Sequence, residues 1–288
     1  MYKEINILII LVIIISFIKI FKINEYFTKK RKKIAIITCV WKRFELTKII
    51  LDYLKYTQNV LKNDIDIEIV IAGSEGNTYK NICDKLGFHY IEIPNKPLNK
   101  KFNATSKYCQ KLNPDEILLI GSDDLITPKT ILELSKKMDQ NNDIVGLTNL
   151  YFMDLKSFNI TKWNGYTGSI YKKGTTIGAG RLYSKKVLDS LDWYLWDNNI
   201  NLNVALDGNS YRRIKKFNYD FKGYSLEELN GFAIDIKGGG TNIGRIKQYN
   251  NLEKQLNKKE SLELLKKNNI DEEFINKLKN LSSKLNNN

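Results

Sequence analysis

Two adjacent carboxylates, Asp123 and Asp124, follow a short apolar run in the stretch DEILLIGSDDLI at residues 115–126. The run from Ile117 to Ile120 fits a strand buried on both faces of a largely parallel sheet, although a buried helical segment gives a similar signal. Gly121 and Ser122 break the run. Thr127 and Pro128 then open a helical pattern, with Thr as a candidate N-cap and Pro in the first turn. Two acids therefore stand at the carboxyl end of an interior strand, where open α/β sheets bind ligands. Carboxylates clustered there suit a hard divalent cation shared with substrate phosphates. The competing reading is a polar turn in which one Asp caps the helix, and these residues alone leave both readings open. A third acid, Asp207 in VALDGNSYRRIKKF, is either a general base or an N-cap ahead of Asn209 to Lys215.

The segments that must position these acids alternate between strand and helix patterns. Residues 33–41, KIAIITCVW, read as a first strand, and 45–61 as a helix. IDIEIVIAGSEG at 65–76 reads as a second strand with a Gly-rich turn, followed by a short helix over 78–86. FHYIEIPN at 88–95 is a third strand and 100–112 a helix, which leads into the acidic strand. A helix over 128–138 precedes NDIVGLTNLYFMDL at 142–155, which reads as one further strand and its edge. Residues 157–176 read as irregular, and 184–191 as a helix. GFAIDIKGGGTNIGR at 231–245 reads as a flexible or close-packed turn, with Lys237 and Gly238 to Gly240 as a phosphate-facing loop. From residue 250 onward, leucines at helical spacing predict a pair of amphipathic helices and a frayed end. Strands alternating with helices argue for βαβ units and a parallel sheet.

Composition narrows the function classes. The chain has 288 residues and a formal net charge of +14. A basic surface attracts nucleic acid, anionic lipid or a negatively charged small substrate. No nucleic-acid-binding motif accompanies the charge, so no nucleic-acid partner is expected. The single histidine, His89, alternates with apolar residues and reads as structural, and it excludes a multi-histidine metal site. Three scattered cysteines indicate neither a disulfide framework nor a CxxC metal site. Neither GxGxxG after the first strand nor GxxxxGK[ST] occurs, so the usual dinucleotide and P-loop readings have no support. Residues 5–23 contain 15 apolar residues out of 19, enough for a membrane-spanning helix. A basic cluster, Lys29 to Lys33, follows. The nearly neutral start and the lack of an Ala-x-Ala-like site favour a retained single-pass anchor over a cleaved signal, and the basic cluster predicts the remainder of the chain in the cytoplasm. The expected organisation is therefore an anchor at 5–23, a basic linker at 24–33, a catalytic domain at 34–249 and a helical extension at 250–288.

The ordered set of features from about Lys33 to Ile214 resembles the GT-A glycosyltransferases, and among them the family 2-like group. IAIITCVWKR corresponds to the strand that meets the nucleotide, and IEIVIAGSEG to the strand that lies near the base. NKKFNATSKY corresponds to the Asn-containing helix before the acidic strand end. The Asp-x-Asp motif of that family falls on Gly121-Ser122-Asp123, followed by Asp124, so its first carboxylate is replaced by glycine. Gly178-Ala179-Gly180-Arg181 stands for the acceptor segment, and Leu206-Asp207 for a later acidic position.

The resemblance implies a GT-A-like, Rossmann-like mixed and mostly parallel sheet flanked by helices, and the apolar run at 5–23 adds an N-terminal transmembrane helix ahead of it. It implies donor contacts from Thr38, Val40, Arg43, Ser74, Glu75, Lys101, Asn103 and Ser122, and acceptor contacts from Gly180 and Arg181. It implies Asp123 and Asp124 as ligands of Mn²⁺ or Mg²⁺, and Asp207 as the base of an inverting transfer. The expected activity is a membrane-anchored, metal-assisted transfer from a nucleotide sugar to a glycan, lipid or protein acceptor. A metal-dependent nucleotidyltransferase and a non-catalytic membrane-tethered binding module of the same fold are the alternatives.

Overall fold

The computed structural model describes residues 31–168, 175–238 and 246–287, with Ser16 alone before them. Eleven strands and eight α-helices occur among these residues. The first half alternates as expected: β1 (Lys32–Cys39), α1 (Phe44–Leu61), β2 (Ile65–Gly73), α2 (Asn77–Leu86), β3 (His89–Glu92), α3 (Leu98–Cys109) and β4 (Glu116–Leu119). Ile34 to Ile37 of β1 and Ile117 and Leu118 of β4 are fully buried. Such burial contributes roughly 1.5–3 kcal/mol for each large aliphatic side chain, which makes the centre of the sheet a firm platform. β1 and β4 run parallel, with Ile37 beside Leu119, so their carboxyl ends open on the same edge.

After β4 come β5 (Asp124–Ile126), α4 (Pro128–Met138), β6 (Ile144–Leu147), β7 (Leu150–Asp154), β8 (Asn159–Trp163), β9 (Arg181–Ser184) and α5 (Lys185–Ser190). The chain continues through α6 (Leu206–Lys215), β10 (Phe221–Tyr224), β11 (Ala233–Lys237), α7 (Lys258–Lys267) and α8 (Glu272–Asn287). A seven-stranded sheet has the order β10-β6-β9-β4-β1-β2-β3, and a four-stranded sheet the order β5-β11-β7-β8. Within the larger sheet β9 runs antiparallel to both β4 and β6, which makes a mixed, mostly parallel sheet.

Three segments differ from the sequence expectations. NDIVGLTNLYFMDL is two strands in two different sheets, since β6 pairs with β9 and β10 while β7 pairs with β8 and β11. Asn149 fixes the crossover: its amide donates to Glu227 and its carbonyl oxygen accepts from Leu226 N–H. The expected irregular stretch after 157 begins instead with β8. The expected glycine turn is preceded by a full strand, β11, while Gly239 and Gly240 lie outside the described residues. The two amphipathic C-terminal helices are present. α7 opens on a capping box between Asn257 and Glu260, and Phe274 of α8 meets Tyr53 of α1 edge to face at 4.9 Å.

The single-pass membrane localisation requires correction. Among the described residues no helix is long and apolar enough to cross a membrane. The apolar run 5–23 and most of the basic linker, on which that expectation rested, lie outside the described residues.

Candidate functional site

The carboxyl edge of β4 opens into a cavity of about 510 Å³ that holds both acidic features. Past β4 the chain turns through Gly121 and Ser122, which brings Asp123 and Asp124 to the start of β5. β11 then lies antiparallel to β5 and sets Asp235 directly opposite Asp124. The backbone N–H of Ile236 also donates to the Asp123 carbonyl at 2.9 Å. The result is a triad, Asp123, Asp124 and Asp235, which brings one carboxylate oxygen from each residue within 4.8 Å of the others.

Asp235 is the residue that sequence reasoning missed. Its only local signal was an acid alternating with Ala233, Ile234 and Ile236 in a strand-like run. It supplies the third carboxylate that Gly121 withholds. A side chain at Gly121 would displace both neighbouring carboxylates. Its N–H donates to Asp124 Oδ2 at 2.5 Å, and a β-carbon there would stand 2.8 Å from that oxygen and 2.9 Å from Asp123 Oδ1.

Two cations answer the three acids. Arg43, held in a left-handed backbone conformation ahead of α1, donates Nη1 to Asp123 Oδ2 at 2.8 Å and Nη2 to Ser122 Oγ at 3.0 Å. Lys237 Nζ lies 2.6 Å from Asp235 Oδ2. Asp235 Oδ1 is buried without a hydrogen-bond partner. Crowding shifts the titrations. Burial, reinforced by Asp235 and Asp123, holds the Asp124 carboxyl well above its ordinary range. Burial and then Asp123 push Asp235 up to about 7, against the pull of Lys237. Burial disfavours the Lys237 ammonium, but Asp235 and Asp123 outweigh it and hold its pKa above the usual lysine value. Three hard oxygen donors, one of them an orphaned oxygen, fit a divalent cation such as Mg²⁺ or Mn²⁺.

A stability consequence follows from Asp124. Its carboxyl titrates well above the ordinary carboxylate range in the folded state, so the ionised form costs stability at neutral pH. That cost vanishes as pH falls through the folded value to the unfolded one. Asp124→Asn keeps an oxygen to accept from Gly121 N–H and removes the charge. In EDTA at pH 8 it is expected to raise the Tm by about 2–4 °C, the response to about 1 kcal/mol in a chain of this size. The gain should close towards pH 4. Thermal unfolding at both pH values checks this, and a lower Tm at pH 8 would contradict it.

Asp207 lines the same cavity. It lies in the first turn of α6 but does not cap it, because the N-cap position is Ala205, in a left-handed conformation and without a side-chain cap bond. The carboxylate is held from outside its helix. Oδ2 accepts Gly178 N–H at 2.8 Å and the Tyr166 hydroxyl at 3.0 Å, while Oδ1 accepts no hydrogen bond among the described residues. A β-carbon at Gly178 would overlap Asp207 Oδ1, so the glycine is what permits the approach. Phe152, Trp163, Tyr166 and Tyr249 form the adjoining aromatic wall, with Trp163 and Tyr249 ring centroids 5.0 Å apart.

Of the residues expected at the donor and acceptor, Val40, Arg43, Lys101 and Ser122 line the cavity. Lys101 is nearly fully buried and donates to the Val40 carbonyl at 2.7 Å and to Asn95 Oδ1 at 3.2 Å. Burial lowers its pKa from the ordinary lysine value. Thr38, Ser74, Glu75, Asn103, Gly180 and Arg181 are not cavity-lining. Thr38 is buried inside β1. Ser74 reaches Lys101 at 3.4 Å, and Glu75 accepts from Lys42 N–H at 2.7 Å. Asn103 clamps the Trp196 backbone with a bond in each direction. Gly180 donates its N–H to the Leu119 carbonyl at 2.8 Å. Arg181 is fully buried and binds both Oγ1 and the carbonyl of Thr176, so it braces the Gly178 turn and presents no charge to the cavity. His89 bridges Glu68 and Tyr108 on β3, also away from the cavity.

No family model matches the sequence, and no curated protein matches it. Solved structures do share its architecture. S. aureus TarS 1-349 in complex with UDP-GlcNAc superposes with a TM-score of 0.53 at 15% identity, over 87% of this chain and 71% of that one. The chain has a GT-A-like fold. At that identity the likeness shows the fold alone. A second structure of TarS 1-349 gives a TM-score of 0.45 at 15% identity over 71% of this chain, which spans 58% of the length of that one. The 4-diphosphocytidyl-2C-methyl-D-erythritol synthase of Anaerococcus prevotii DSM 20548 gives 0.43 at 15% identity, over 68% of this chain and 87% of that one.

Proposed function

We propose that the protein transfers a sugar from a nucleotide-sugar donor to an acceptor hydroxyl with inversion. The observation that carries this reading is the pairing of two acidic features in one cavity. The Asp123, Asp124 and Asp235 triad stands at the strand edge, and an independently held carboxylate, Asp207, stands beside it. The GT-A-like fold shared with a protein crystallised with UDP-GlcNAc supports the donor class. A divalent cation on the triad would supply counter-charge to a diphosphate leaving group.

The remaining roles belong to the chain's own residues. Val40, Arg43, Lys101 and Ser122 line the donor side. Gly178 N–H and Tyr166 fix Asp207 Oδ2, which leaves Oδ1 to take the proton from the acceptor hydroxyl. As that proton moves, the acceptor oxygen bonds to the anomeric carbon, and the bond from that carbon to the diphosphate oxygen breaks. Residues 34–249 form the catalytic unit in this reading, with 250–288 as an extension.

The test is to incubate the chain with a panel of nucleotide sugars, with and without Mn²⁺. The expected result is Mn²⁺-dependent release of nucleoside diphosphate from one of them. Binding without turnover would favour a non-catalytic module. Pyrophosphate release when nucleoside triphosphates replace the nucleotide sugars would favour nucleotidyl transfer. Either outcome overturns the proposal.

A further inference from the structure

The three carboxylates of the triad do not face the cavity alone. Lys237 and Arg43 each hold one of them, and both side chains are close to buried, at 12% and 9% exposure. Three formal negative charges thus meet two positive ones. The pairing leaves one atom unsatisfied on each side. Arg43 Nε is buried without a hydrogen-bond partner, as is Asp235 Oδ1. The Lys237 ammonium feels Asp123 as well as Asp235, so it sits in the field of two members of the triad. A lysine ammonium is a compact point charge on a flexible stem, whereas an arginine fork is more rigid. Lys237 is therefore the more movable of the two. Its Nζ also lies 5.5 Å from the Phe152 ring centroid, so an aromatic face is at hand if the ammonium leaves Asp235.

We propose that Lys237 is an internal competitor of the divalent cation: it occupies Asp235 until a metal ion displaces it, and it then turns to the donor's diphosphate. The proposal rests on the glycosyltransferase reading for its second half only. The competition itself concerns the metal and the chain. A dication on Asp235 Oδ1 would stand beside an ammonium held 2.6 Å from Oδ2 of the same carboxylate, and the repulsion between two cations that share one buried carboxylate is strong. A diphosphate meeting the triad without a dication would face net negative charge. With the dication bound, the freed ammonium adds a second positive contact on the same side.

Two measurements test the competition without relying on turnover. The first is calorimetric titration of MnCl₂ into the 288-residue chain and into its Lys237→Gln variant, with no nucleotide present. Removing the competitor is expected to tighten Mn²⁺ binding at least tenfold. Equal or weaker affinity overturns the proposal. The second uses the unsubstituted chain, so it does not depend on the variant folding. Acylation of Lys237 by an amine-reactive reagent, read by peptide mass spectrometry, is expected to rise severalfold when Mn²⁺ is added. Labelling that Mn²⁺ leaves unchanged overturns the proposal. Failure of the function reading looks different: Mn²⁺ affinity and labelling respond as stated, but no nucleotide sugar is consumed.

Discussion

Replacing Asp207 by asparagine is expected to lower sugar transfer by about 10²–10⁴-fold while leaving donor binding near its original strength. The substitution isolates proton transfer from positioning. An asparagine oxygen can still accept Gly178 N–H and the Tyr166 hydroxyl, which now meet Oδ2 at 2.8 and 3.0 Å. The amide nitrogen then takes the place of Oδ1, the oxygen that accepts no hydrogen bond, and it cannot receive a proton. Folding should be preserved, because the α6 N-cap is Ala205 and not this side chain. Release of nucleoside diphosphate measures the rate, and calorimetry with the donor measures binding. Turnover near the original value would remove Asp207 as the base. Lost turnover together with lost donor binding would mean that the residue shapes the cavity and does not carry the proton.

The parts of the fold that were legible in the sequence are those whose signals are local. α4 spans Pro128–Met138, and the Thr-Pro start and helical spacing marked those same bounds. β1 and β4 announced themselves as apolar runs because both faces of their sheet are covered, and β2 as an alternating stretch that becomes wholly apolar from Ile69. The division between β6 and β7 was not legible, since Thr148 and Asn149 interrupt one continuous apolar stretch by only two residues. What separates the strands is the partners that each finds, β9 and β10 for one and β8 and β11 for the other, and those partners are distant in sequence.

The site divides in the same way. Asp123 and Asp124 were readable from the strand end beside them. Asp235 was not, because its role depends on the register of β11 against β5, a three-residue strand with no sequence signal of its own. Arg181 misled for a related reason. The resemblance implies an acceptor contact for this cation after a glycine turn, but the antiparallel pairing of β9 with β4 places it opposite Leu119 and buries it.

Asp123→Ala is expected to abolish Mn²⁺-dependent binding of a nucleoside diphosphate, and transfer with it. Asp123 is the member of the triad that Arg43 holds, at 2.8 Å, and it raises the pKa of both Asp124 and Asp235. Removing it therefore does three things. It deletes one candidate ligand oxygen donor, it lets both neighbours ionise more readily, and it leaves the Arg43 guanidinium without its carboxylate. The first effect weakens metal binding and the second partly offsets it, so the third helps decide the size of the loss. A nearly buried guanidinium with no anion opposite it costs on the order of 2–5 kcal/mol when one partner of such a pair is truncated. In the free protein Arg43 would then turn towards the two remaining acids and compete with the metal for them. The net expectation is a loss of Mn²⁺-dependent affinity of at least 10²-fold, whereas metal-independent nucleotide affinity should change little. Titration of UDP with and without Mn²⁺ reads both quantities. Asp123→Asn, which keeps an oxygen near Arg43, should lose less. Mn²⁺-dependent binding that survives intact in Asp123→Ala would reduce residues 121–124 to a polar turn, with Arg43 as its structural brace.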